Sequence, residues 1–144
     1  MKCAQCVALA VGAVLPFLTY GVQAAEVKGA AILDTPCGKV AVKQMGLLHD
    51  GKFDEANKLS TKEMQDQWKA MPAKDRAMMS DMSKEMSQTE AQYAADIKAS
   101  GVLVVNGPAA TLTVKKTTKD ANGSSSSTTR QEFRLNGNEC LVSR

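Results

Sequence analysis

The chain has 144 residues, a suitable length for one domain, of which 23% are charged and 44% hydrophobic. This balance excludes a wholly disordered chain and a membrane protein with several spans. The 18 basic and 15 acidic residues leave a net charge of +3, which is too small for a nucleic-acid-binding domain because the charge of such a domain is dominated by its basic face. We expect one weakly basic globular domain that binds no nucleic acid.

Residues 1–24 have the pattern of a secretory signal peptide. Lys2 provides the positive charge of the N-terminal region, an apolar stretch follows, and no further charged residue occurs before Glu26. Small residues predict cleavage between Ala24 and Ala25. The apolar stretch falls short of the roughly 20 residues of a spanning helix and no basic cluster follows it. We therefore expect a periplasmic protein that does not contact the membrane after cleavage.

Cleavage at this site removes Cys3 and Cys6 and leaves Cys37 and Cys140. Two cysteines in an exported chain most simply form one disulfide. The bridge would join the first predicted helix to the last predicted strand. Because it closes a loop of about a hundred residues, the chain-entropy model gives it a stabilisation of the folded protein of roughly 4–5 kcal/mol. The alternative is a pair of buried free thiols.

After cleavage, residues 25–35 are predicted to be a lead-in segment, followed by a single domain over residues 36–144. Pro36 favours the start of a helix, and Gly51 is a natural stop after its last turn. A short second helix is predicted from Phe53, because apolar residues follow it at helical spacing.

Two further helices are predicted before residue 88. Ser60 and Glu63 have the spacing of a capping box, which predicts a third helix from Thr61. Pro72 divides this helix from a fourth, because a proline inside a helix removes a hydrogen bond and clashes with the preceding turn. The fourth helix is expected to end near Met86.

Beyond residue 88 the apolar residues alternate with period two, starting with Tyr93, Ala95 and Ile97, and predict a four-stranded antiparallel meander. Between its strands we expect a bulge at Gly101, hairpin turns at Asn106-Gly107 and Asn136-Gly137, and a flexible loop over residues 120–127. Helices followed by a meander predict an α+β fold with the helices packed on one face of the sheet.

Two segments suggest a family. Residues 50–56 read Asp-Gly-Lys-Phe-Asp-Glu-Ala, and residues 109–114 read Ala-Ala-Thr-Leu-Thr-Val ahead of a last strand that follows Asn-Gly. With the order of elements, this resembles the nuclear transport factor two-like superfamily, most of all its small exported lumazine-binding-like branch, over about residues 36–144. The chain departs from the pattern in its Met-rich, proline-split third helix and in lacking an aromatic residue in the last strand. The resemblance implies a cone that encloses a pocket, but no single activity.

The residues favour no enzymatic activity. Enzymes of the resembled superfamily, such as ketosteroid isomerase, use pocket carboxylates, histidine and tyrosine. Here the one histidine, His49, is predicted at a helix C-terminus, where the helix dipole favours its protonated ring. Tyr93 and Asp96 are expected on opposite faces of a strand, so they could not both line a pocket. We expect no catalytic residue, no cofactor and no metal centre.

Methionine is concentrated between residues 64 and 86, which hold six of the eight methionines. Met64, Trp68 and Met71 are predicted to form one helical stripe, and Met78, Met82 and Met86 a second. Three explanations stay open: packing beneath a kinked helix, an adaptable surface for a protein or apolar ligand, and a Cu(I) site assisted by His49. The predicted binding residues are Met64, Trp68, Met71, Met78, Met82 and Tyr93.

These observations favour a non-enzymatic periplasmic interaction protein. One concrete form is an immunity or inhibitor protein that neutralises a toxin or an enzyme. The alternatives are a carrier of a small apolar ligand that uses the cone pocket, and an enzyme of the isomerase or dehydratase type.

Overall fold

The computed structural model describes residues 24–144, in which helices pack on an open antiparallel sheet with the strand order β1-β2-β3-β4-β5. The predicted signal peptide lies outside the described residues, apart from Ala24. No helix within residues 24–144 is long and apolar enough to cross a membrane. The α+β class is therefore confirmed, whereas the predicted number of four strands is wrong.

The additional strand lies in the segment predicted to be a lead-in. Strand β1, Ala25–Lys28, pairs antiparallel with strand β2, Val102–Asn106, and a 3-10 helix follows over Gly29–Asp34. Val27 packs against the core and Ile32 is fully buried within it. The sequence pattern missed this strand because four residues with one inward apolar side chain give no period-two signal.

The first four helices lie where the sequence predicted them. They are α1, Pro36–His49; α2, Phe53–Asn57; α3, Lys62–Ala70; and α4, Ala73–Met86. The Thr35 hydroxyl caps α1 by accepting a hydrogen bond from the Gly38 amide at 3.0 Å. The predicted capping box at Ser60 is wrong: Ser60 is buried, and Thr61 is the N-cap residue of α3.

The segment predicted to be the first strand of the meander is instead a helix, α5, Glu90–Ser100. Tyr93 and Ile97 are both buried, and their separation of four residues suits a helix face as well as a strand. A capping box at Thr89 and Gln92 begins the helix. Gly101 is its C-cap residue rather than a bulge in a strand.

The rest of the meander consists of β2, then β3, Ala109–Asp120; β4, Gly123–Asn136; and β5, Glu139–Val142. The predicted hairpin turns are confirmed, with φ of 57° at Gly107 and 61° at Gly137. The predicted flexible loop over residues 120–127 is wrong, because β3 and β4 stay paired out to Asp120 and Gly123. The serines and threonines of this segment have the composition of a flexible linker. They lie instead in the paired ends of β3 and β4, which form a two-stranded ribbon exposed on both faces.

The core lies between the sheet and helices α1 and α5. A disulfide joins Cys37 in α1 to Cys140 in β5, with their Cα atoms 5.1 Å apart, which confirms the predicted pairing. The buried residues of the core are Ile32, Cys37, Ala41, Tyr93, Ile97, Leu103, Ala110, Leu112, Val114, Phe133, Cys140 and Val142.

Replacing Cys37 and Cys140 together by serine is expected to lower the free energy of unfolding by about 2–5 kcal/mol, because the bridge closes a long loop of the unfolded chain. Urea unfolding followed by circular dichroism measures the change. The parent protein unfolded in reductant serves as the control and should lose a similar amount. Equal stability of the oxidised and reduced proteins would contradict the prediction.

Candidate functional site

Trp68 joins the three helices α2, α3 and α4. Its ring is 9% exposed and stacks on Phe53, with the ring centroids 4.1 Å apart. Its indole Nε1 donates a hydrogen bond to Asp54 Oδ1 at 2.9 Å, and the Arg76 guanidinium carbon lies 6.0 Å from the ring centroid. This environment favours the packing explanation for Trp68 over that of an exposed anchor for a partner.

The other members of the first predicted stripe are also partly covered. Met64 is half-buried and packs against the core. Met71 is half-buried at the C-cap of α3, where its amide donates to the Trp68 carbonyl at 3.2 Å. A cleft of about 230 Å³ opens beside Trp68, between α3 and Ala73 and Arg76 of α4. Met64 and Trp68 of this stripe therefore pack within the fold, and Met71 is half-buried.

The second predicted stripe faces solvent. None of the residues of α4 is buried, and its four methionines are 57%, 39%, 53% and 80% exposed at Met78, Met79, Met82 and Met86. At 3.6 residues per turn these four side chains fall within an arc of about 100°. The half-buried residues of the helix, including Arg76, Ser80 and Ser83, lie outside this arc. We call the four methionines the Met face.

Tyr93 is buried and belongs to a chain of polar side chains beneath the sheet. Its hydroxyl donates to Gln131 Oε1 at 3.3 Å, and Gln131 Nε2 donates to Gln44 Oε1 at 2.7 Å. Gln44 Nε2 in turn donates to Ser60 Oγ at 3.5 Å. Since buried polar groups need partners, this series of hydrogen bonds fixes α1, α5 and β4 relative to one another.

Tyr93 and Asp96 lie on one side of α5, so their predicted placement on opposite faces is wrong. Both line a cavity of about 220 Å³, together with Met45 and Met86. Burial, with a smaller contribution from the Asp96 charge, raises the pKa of Tyr93 to about 12. Tyr93 therefore stays a neutral hydrogen-bond donor throughout the physiological range of pH.

His49 occupies the last turn of α1, as the sequence predicted. Its Nδ1 lies 3.3 Å from the carbonyl oxygen of Ser87, directly after α4. Within residues 24–144 no group of three or more histidine, cysteine, aspartate or glutamate side chains is placed to hold a metal ion. His49 therefore links the ends of two helices.

Several residues around these sites were missed from the sequence. Gln44 lies three residues after Ala41 and seven after Cys37, on the buried side of α1, so its position on an apolar stripe was a usable signal. Its partner Gln131 is 87 residues away, and no local pattern connects them. Asp54 was likewise missed, because its partner comes from another helix.

Comparisons with protein-family models, with curated proteins and with solved structures give no match. The resemblance to the nuclear transport factor two-like superfamily therefore stays a prediction.

Trp68→Ala is expected to lower the free energy of unfolding by about 3–5 kcal/mol, because it removes a large buried ring. Trp68→Phe keeps a ring beside Phe53 and loses only the hydrogen bond to Asp54, so we expect a smaller loss of about 1–3 kcal/mol. Chemical unfolding followed by circular dichroism measures the free energy of unfolding of both variants and of the parent. A Trp68→Ala protein as stable as the parent would show that the ring does not hold the helices together.

Stability at alkaline pH should depend on Tyr93. Its pKa is higher in the folded protein than the usual 10.0, so folding favours the neutral phenol. This contribution is complete below pH 10, and about 2–3 kcal/mol is lost as the pH rises from 10 to 12.

The loss can be measured by urea unfolding at several pH values, with Tyr93→Phe as the control in which this pH dependence disappears. Tyr93 is the only tyrosine after residue 24, so ultraviolet titration of the cleaved chain follows it directly. A phenol that ionises near pH 10 in the folded protein would contradict the prediction.

Proposed function

We propose that this protein is an exported, non-enzymatic interaction protein that binds a protein partner through the Met face of α4. The observation that carries this proposal is the exposure of four methionines on one side of a helix that buries no residue. Monomeric proteins seldom leave large apolar side chains grouped in this way, and such groups mark interaction sites.

The chemistry of the Met face suits a protein surface as its partner. Methionine has three rotatable bonds and a polarizable sulfur, so a group of methionines adapts its shape to an apolar groove. Met78, Met82 and Met86 follow one another at intervals of four residues, the spacing with which a helix docks into a groove. On its other side, α4 is held by its contact with α1 and by the approach of Arg76 to the Trp68 ring.

Export is supported by the disulfide between Cys37 and Cys140, because such bridges persist in oxidising compartments. The predicted signal peptide over residues 1–24 supports the periplasm as the destination. We further propose an immunity or inhibitor protein that neutralises a toxin or an enzyme, because that role needs a stable scaffold and an exposed binding face. The order of helices and meander supports a place in the nuclear transport factor two-like superfamily.

A groove on another side of the fold favours the carrier of a small apolar ligand as the second candidate. It has a volume of about 350 Å³ and lies between the 3-10 helix, α1 and α5. Leu33, Val42 and Ala94 provide apolar lining, and the charged residues Lys39, Lys43 and Glu90 also line it. An apolar molecule with a polar end would match this lining. An isomerase or dehydratase, the third alternative, finds support only in the shared cavity of Tyr93 and Asp96.

A photo-crosslinking amino acid placed at position 82 tests the proposal in intact cells. We expect a specific adduct with a periplasmic protein, whereas the same amino acid at Lys119, on the exposed β3–β4 ribbon, should give none. Met82→Asp puts a charge in the apolar face and should weaken binding of the captured partner by at least about tenfold, with Met82→Leu close to the parent. Adducts only from position 119 would place the interaction on the ribbon instead.

A further inference from the structure

Within residues 24–144, the side chains that oxidants attack most readily are shielded from solvent, except on the Met face. The two cysteines are joined in a buried disulfide, and both Trp68 and Tyr93 are buried. The methionines of this range outside α4 are half-buried at Met45, Met64 and Met71. All four methionines of the Met face are exposed. An oxidant in solution therefore reaches these thioethers first.

Methionine is the only large apolar residue type of α4. The helix sequence is AKDRAMMSDMSKEM, which contains no leucine, isoleucine, valine or aromatic residue. The usual role of methionine as a filler of irregular gaps does not explain this choice, because the four side chains are exposed. Leucine would offer a protein partner an apolar surface of similar size. What methionine adds to this face is a sulfur atom that can be oxidised.

Oxidation by hydrogen peroxide changes the polarity of a methionine side chain. An S–O bond forms at the thioether sulfur, the O–O bond of the peroxide breaks, and the second peroxide oxygen leaves as water. The sulfur gives up the two electrons that reduce the peroxide, and the product is methionine sulfoxide, a polar side chain that disrupts Met-rich interfaces. In an apolar groove the new oxygen has no hydrogen-bond partner, so its burial opposes binding.

We propose that the Met face is a site of reversible oxidation, at which conversion of its methionines to sulfoxides by peroxide releases the protein partner. This inference rests on the proposed function, because it requires a partner at the Met face. Methionine sulfoxide reductases restore the thioethers: two thiols supply two electrons, and the sulfoxide oxygen leaves as water. A bound partner covers the sulfur atoms, so partner and peroxide compete for the same face.

The position of the Met face confines the effect of oxidation to binding. No residue of α4 is buried, and the helix is held through its contact with α1 and through Arg76 beside the Trp68 ring. The four sulfur atoms take no part in these contacts, and their sulfoxide oxygens would be hydrated. The oxidised protein therefore keeps its fold, whereas a sulfoxide in the core would destabilise it.

The first experiment treats the purified protein with hydrogen peroxide and follows each methionine by peptide mass spectrometry. The four methionines of the Met face should become sulfoxides several times faster than Met45 and Met64, which pack against the core and serve as internal controls. The circular dichroism spectrum and the urea midpoint of the oxidised protein should match those of the untreated protein. Equally fast oxidation of Met45 and Met64, or unfolding when the Met face is oxidised, would overturn the inference.

The second experiment compares two proteins that carry the photo-crosslinking amino acid at position 82. One keeps the other three methionines of the Met face, and the matched control carries Met78→Leu, Met79→Leu and Met86→Leu, so that its face stays apolar without sulfur. Each purified protein is treated with hydrogen peroxide, freed of it and irradiated in periplasmic extract. The protein with methionines should lose the adduct that its untreated form gives, whereas the leucine control should form the adduct with or without treatment.

The outcomes separate this inference from the proposed function. An adduct of unchanged yield from the treated protein, with its three sulfoxides verified by mass spectrometry, would overturn the inference and leave the partner in place. Loss of the adduct from the leucine control as well would trace the effect to oxidation outside the Met face, which also overturns it. The absence of an adduct from both untreated proteins would contradict the proposed function itself, and the inference with it.

Discussion

The four-residue strand β5 attaches most of the helical layer to the sheet. Cys140 joins it covalently to α1 through Cys37. Val142 then forms two backbone hydrogen bonds with the link between α2 and α3: its amide donates to the Leu59 carbonyl at 2.9 Å, and its carbonyl accepts from the Thr61 amide at 2.8 Å. One edge strand thus fixes the position of α1 and of the start of α3.

Helix α4 is held differently, and this explains why one of its sides is free. It contacts α1, and its Arg76 approaches the Trp68 ring at the corner where α2 and α3 meet. At its far end, His49 lies beside the Ser87 carbonyl. These contacts all involve the inner side of α4 or its end. The Met face is therefore presented on a supported helix without taking part in the core.

Features with a local physical cause could be predicted from the sequence. Pro36, Gly51 and Pro72 act on their own neighbourhoods, and the two Asn-Gly turns require the positive φ that glycine allows. The error at α5 arose because Tyr93 and Ile97, four residues apart, fit both a helix and a strand. Here the capping box at Thr89 would have decided the question.

Tertiary features were beyond the sequence patterns. The hydrogen bond between Gln44 and Gln131 joins residues 87 positions apart, and β1 is a strand only because β2 lies beside it. The same limit applies to the two methionine stripes. Helical spacing grouped their members, but it could not show that the stripe around Trp68 packs inward while the Met face points to solvent, since that depends on what each helix packs against.

The disulfide also imposes an order of events during synthesis. Cys37 and Cys140 are 103 residues apart, so at about 5–20 residues per second Cys140 is made roughly 5–20 s after Cys37. Until Cys140 has been made, residues 24–144 hold no second thiol for Cys37, so an earlier disulfide would join Cys37 to a cysteine outside this range or to another molecule. The native bridge can therefore form only after the last strand has been made.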